Sequence, residues 1–155
     1  MNFLGTRRNH WIMPLAGAIA MLGFAAQPAA ATAPAPVVNY ACGPEIEAGP
    51  VVYRACSEVT WTGPDDQYSA QGILFVSNRG INEADFTLTL ERWDYTVGDW
   101  TTDTTDSDTL PSGDERPYFA PPRELPCGQD ARERGEATVP TYSGDWSEVV
   151  LPAPC

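Results

Sequence analysis

From Asp108 to Cys155 a proline or glycine interrupts the chain every few residues. Proline lacks a backbone donor and clashes with the preceding helical turn, so this half holds no long helix and no central strand at those positions. Upstream the apolar pattern has a period of two. In VVYRACSEVTW (51–61) one alternating set is Val51, Tyr53, Ala55, Ser57, Val59 and Trp61, and the other is Val52, Arg54, Cys56, Glu58 and Thr60. The first set is the core face. YSAQGILFVSN (68–78) has a continuous apolar centre and reads as a central strand. ADFTLTLERWDYTV (84–97) alternates until its large residues change phase at Trp93, Tyr95 and Val97, which suggests a β-bulge near Glu91 and Arg92. A turn at Val97-Gly98-Asp99-Trp100 then leads into WTTDTTDSD, polar enough to be an edge. Short strands at about 117–120, 136–142 and 147–152 complete the pattern. The expectation is an all-β fold: an antiparallel, immunoglobulin-like β-sandwich of six to seven short strands.

Four cysteines allow three disulfide pairings, and the alternation favours one of them. Cys56 falls on the outward set with Arg54 and Glu58, so it meets a neighbour on the sheet surface instead of crossing the core. Cys42 is that neighbour, because the chain folds back about Glu47-Ala48-Gly49-Pro50. Closing this ring of about 15 residues contributes roughly 3 kcal/mol in the chain-entropy model. Cys127 and Cys155 then form the second bond. No C-x-x-C pair and no histidine after His10 are present to make these thiols a metal site.

The N-terminus reads as an export signal. Arg7, Arg8 and His10 precede an apolar run, Trp11 to Ala26, of signal-peptide length and short for a membrane span. Ala29 and Ala31 form an A-x-A site, so a helical signal peptide over 1–31 with cleavage after Ala31 is expected, then a flexible Ala/Pro-rich segment, 32–41, and a single disulfide-bonded domain, 42–155. The whole chain carries −12, and −14 once Arg7 and Arg8 are removed. Nucleic acid and anionic membranes are repelled by such a charge, and no stable membrane insertion is expected after cleavage. Lysine is absent throughout. With that composition, the export signal, the YRAC strand and the ending GDWSEVVLPAPC, the chain resembles small secreted actinobacterial proteins of uncharacterised function. The resemblance implies compartment and fold and implies no activity.

Without histidine or lysine in the mature chain, no Ser-His-Asp or Cys-His couple and no Schiff base can be assembled. Only carboxylates remain for acid and base chemistry. A non-enzymatic extracellular binding domain, a monomer, is therefore the leading reading. A secreted hydrolase inhibitor and a carboxylate-only carbohydrate-active enzyme stay open beside it. The candidate surface is WDYTVGDWTTDTTDSD (93–108), where Trp93, Tyr95 and Trp100 could stack on a sugar or anchor a protein. The negative charge of the stretch favours a partner with a cationic surface. The expected turn sets Asp94 opposite Asp103, a repulsive pair that calcium could relieve with Asp103, Asp106 and Asp108 as ligands. No other cofactor is expected.

Overall fold

The computed structural model describes residues 35–63 and 66–155, so the signal-peptide reading lies outside the described residues. The described residues form one compact unit with ten strands among them. These are β1 (Val37–Cys42), β2 (Ile46–Ala48), β3 (Val51–Trp61), β4 (Gln67–Asn78), β5 (Ala84–Asp94), β6 (Asp99–Leu110), β7 (Glu115–Phe119), β8 (Arg123–Pro126), β9 (Ala131–Thr138) and β10 (Ser147–Leu151). Sheet A runs β1-β3-β4-β7, with β2 also on β3 and β8 also on β4; sheet B runs β10-β9-β5-β6. All pairings are antiparallel, and the fold is a β-sandwich.

Three short strands account for the excess over the expected six to seven. β2 and β8 are too brief to show alternation, and β1 lies partly in the segment expected to be a flexible tail. Residues 37–41 are strand because β3 offers them a full antiparallel edge, from Val37 opposite Trp61 to Cys42 opposite Cys56. β9 begins at Ala131, earlier than expected, since its small inward residues Ala131, Gly135 and Ala137 carry little hydrophobic signal.

Both disulfides join the expected partners, Cys42 to Cys56 and Cys127 to Cys155. The first spans neighbouring strands on the outer side of sheet A, where it leaves Cys56 fully covered. Two apolar clusters fill the sandwich. The larger holds Tyr53, Leu74, Val76, Phe86, Leu88 and Leu90, and the smaller Val59, Tyr68, Leu125 and Leu151. Ser57 and Gly72, opposite each other on β3 and β4, lie between them in the chain order of both strands. Their small side chains leave room for a polar layer that fills from sheet B.

Tight backbone approach closes the end near Tyr53. The Tyr53 hydroxyl, on a side chain 1% exposed, donates to the Asp145 carbonyl at 2.5 Å. A methyl group at Gly144 would overlap that hydroxyl. Gly144→Ala is therefore expected to destabilise the domain by about 1–3 kcal/mol, the cost of overpacking a rigid site. Thermal unfolding checks this; an unchanged midpoint would show that the 144 loop can move away.

Candidate functional site

The hairpin from 93 to 108 is where sequence and structure diverge most usefully. The turn occupies Tyr95 to Gly98, with the Gly98 amide donating to the Asp94 carbonyl at 2.8 Å and Gly98 at φ +69°. Asp94 therefore faces Asp99, Trp93 faces Trp100 and Arg92 faces Thr101. This corrects the expected Asp94–Asp103 opposition, which came from centring the turn two residues too late. The register does shift between Leu90 and Glu91 as the phase change suggested, but the extra residue sits on β6. It is Asp103, between Thr102 opposite Glu91 and Thr104 opposite Leu90. β5 keeps its alternation, with Leu88, Leu90 and Arg92 inward and Glu91 and Trp93 outward.

That bulge turns Asp103 into the sandwich. Its side chain is 6% exposed and forms an ion pair with Arg92 at 2.5 Å. Nearby, Arg123 of β8 reaches across from sheet A to Glu133 of β9 at 2.8 Å, and Glu133 packs against Gly72. Glu133 is 2% exposed. Burial pushes its carboxyl up to about 7 despite the Arg123 charge, and the Asp103 charge adds to the rise. Burial likewise raises Asp103, against the lowering effects of Arg92 and Arg123. The layer is thus two carboxylates closed between the sheets and two guanidiniums, Arg92 and Arg123, that reach a cleft of about 450 Å³ beside Tyr95 and Gln129.

The acids proposed for calcium do not converge. Asp103 is paired with Arg92, and Asp108 accepts from Arg116 at 2.5 Å and from the Tyr118 hydroxyl at 2.6 Å. The Tyr118 hydrogen bond, then the Thr109 amide, hold the Asp108 carboxyl below the usual range. Asp106 caps the Ser107 amide at 2.8 Å. Among the described residues no group of three acids, cysteines or histidines could hold a metal ion. Guanidinium and hydroxyl groups neutralise Asp103 and Asp108 where calcium was invoked.

On the outer face of sheet B the aromatics form neither a buried core nor an open coplanar row. Trp93 and Trp100 meet edge to face, 5.6 Å between centroids at 82°. Arginines from β9 interleave with them. Arg132 lies 4.6 Å from the Trp93 ring and 5.6 Å from Trp100; Arg134 lies 4.4 Å from Trp100 and 4.2 Å from Trp146. Each contact is within cation–π range. Carboxylates hold the guanidiniums in place: Arg134 Nε donates to Glu91 at 2.8 Å, and Arg132 pairs with Glu148 at 3.1 Å. Tyr95 stands apart, 39% exposed, its hydroxyl donating to the Asp130 carbonyl at 3.0 Å. Further along the same face, Asp85, Thr87, Ser107, Thr109 and Thr138 line a groove of about 520 Å³. Thr87 and Ser107 hydroxyls lie 3.0 Å apart there, and Thr109 donates to Asp85 at 2.5 Å.

Arg132 and Arg134 were absent from the sequence-based site, as were Arg123 and Glu133. The two-residue spacing in ARERGEAT (131–138) already places Arg132 and Arg134 on one face and Glu133 on the other. What it lacks is the identity of the strand alongside.

No protein-family model matches the chain, and no curated protein matches it in sequence. Among solved structures, the chain is similar to the exo-chitosanase CsxA of Amycolatopsis orientalis, with a TM-score of 0.51 at 14% identity over 68% of this chain. The match spans 13% of that enzyme, so the likeness is to a small part of it and concerns the fold alone. A structural-genomics target from Bordetella pertussis matches with a TM-score of 0.41 at 14% identity, covering 77% of this chain and 94% of that one.

Proposed function

We propose that this chain is a secreted, non-catalytic binding domain that uses the outer face of sheet B to contact an extracellular protein or carbohydrate with a cationic surface. The observation that carries this reading is the interleaved Trp93, Arg132, Trp100, Arg134 and Trp146, fixed by Glu91 and Glu148 and continued by the hydroxyl-lined groove. A surface already rigid loses little conformational freedom on binding. Two disulfides suit an oxidising, extracellular setting.

Charge supports the choice of partner. Each of the seven arginines among the described residues forms an ion pair with an acid of the same chain. Among the described residues the acids therefore stay in excess with every arginine already engaged. The buried carboxylates also favour a binding role over a catalytic one, because Glu133 and Asp103 are closed between the sheets and engaged by Arg123 and Arg92.

The test is surface plasmon resonance of the oxidised protein against a cationic aminosugar oligomer, a neutral polysaccharide and a basic protein. Trp100→Ala and a Thr87→Ala, Ser107→Ala double variant are each expected to weaken binding at least about tenfold, with thermal melts confirming the fold. Raising salt weakens the interaction through screening. Binding that is insensitive to salt and to both variants would move the contact surface to the Pro-rich segment 110–126 and refute this reading.

A further inference from the structure

The sandwich has four edges, and three of them are guarded. On β6 the carboxylates of Asp106 and Asp108 accept from the next backbone amides, Ser107 and Thr109, each at 2.8 Å. Strand β7 carries Pro117 and is followed by Pro121 and Pro122 before β8. β10 is five residues long, carries Glu148 and runs into Pro152 and Pro154. Charged side chains, prolines and short strands are the usual protections against edge-to-edge pairing. β1 has no charge or proline within the strand, although Pro36 precedes it and Pro44 follows Cys42 by two residues. VVNYAC contains no charge, proline or glycine, and Val37, Val38 and Tyr40 are 41%, 55% and 50% exposed. Among the described residues β1 pairs with β3 alone, which leaves its other edge open.

We propose that β1 pairs antiparallel with β1 of a second copy of this chain, joining the two A sheets into one. The charge of the protein selects that occupant. Two copies that each carry a large negative excess repel each other least where acids are absent. Of the strands at the sheet edges, β1 alone among the described residues is uncharged; β2, β6, β7, β8 and β10 all bear acids. A cationic partner would favour those other edges. Antiparallel pairing of identical strands is isologous and closes as a dimer. Its twofold axis stands perpendicular to the joined sheet, so both B sheets lie on the same side. Their outer faces then point the same way, and a repetitive ligand can engage both.

One six-residue strand provides less than the roughly 1,200 Å² of a stable complex, so the dimer is weak and dissociates on dilution. Sedimentation velocity of the oxidised, secreted protein from about 5 to about 500 µM brackets that regime. Doubling of mass with concentration is expected, and added salt should strengthen it by screening the like charges, opposite to its effect on a cationic partner. Val38→Asp and Val38→Pro should each weaken association at least about tenfold with the melting temperature retained, because Val38 is in a non-hydrogen-bonded pair with Thr60 and its amide faces the open edge. Hydrogen exchange of the Val38 and Tyr40 amides, which face the open edge, should slow as the unmodified protein is concentrated, a readout that needs no variant. A monomeric mass at the highest concentration in both low and high salt overturns the proposal. So does a dimer whose Val38 and Tyr40 amides exchange at the monomer rate.

Discussion

Arg123→Met is expected to cost about 3–5 kcal/mol of folding stability at pH 8, because it strips the cross-sheet cation from a buried carboxylate. Arg123 lies 2.8 Å from Glu133, and their side chains are 12% and 2% exposed. Water cannot replace the lost partner. The loss should shrink toward pH 5, where Glu133 takes up a proton and no longer needs the cation. The same group gives the unmodified protein an unusual pH profile. Its folded carboxyl is raised from 4.5 to about 7, so the folded state binds the proton more tightly than the unfolded one. Stability from this residue is fully present below about 4.5, falls as pH rises through the interval to about 7, and is level above it. The span corresponds to roughly 3 kcal/mol. Glu133→Gln should flatten the profile between pH 5 and 8. Denaturant titrations at the two pH values decide the matter: an equal loss in Arg123→Met at both would show that packing, and not charge, is what Arg123 supplies.

Removing the second disulfide with Cys127→Ala and Cys155→Ala together is expected to cost about 3.5 kcal/mol in the chain-entropy model, lowering the melting temperature by about 10 °C. The bond closes a separation of 28 residues and ties the end of the chain to the β8–β9 connection. Leu151 and Ala153, which pack in the smaller apolar cluster, depend on that tether. The Cys127 amide donates to the Asp66 carbonyl at 2.8 Å, so the loop before β4 is held at the same point. Melting of the double variant beside the oxidised protein is the check. A midpoint within about 2 °C would mean that β10 holds the terminus without covalent help.

The fold and both cysteine pairings were legible in the sequence because they depend on local phase. Alternation along 51–61 determines which face Cys56 occupies, and only a partner on the same face can reach it. The polar run after Trp100 likewise marks an edge by itself, since a strand of aspartate and threonine has no second apolar face to bury. What lies opposite a residue is a different matter. Alternation repeats every two residues, so a turn centred two residues late keeps every side chain on its proper face while changing every partner. That is why Trp93 and Trp100 were placed on the hairpin correctly, yet Asp94 was set against Asp103 and calcium was invoked to relieve a clash that does not occur. The bulge at Asp103, its burial beside Arg92, the reach of Arg123 to Glu133 across the sheets and the insertion of Arg132 and Arg134 between tryptophans all depend on how separate strands are set against one another. Each is decided by which strands the sandwich brings side by side, and by the space that Ser57 and Gly72 leave between its sheets, neither of which any single strand encodes.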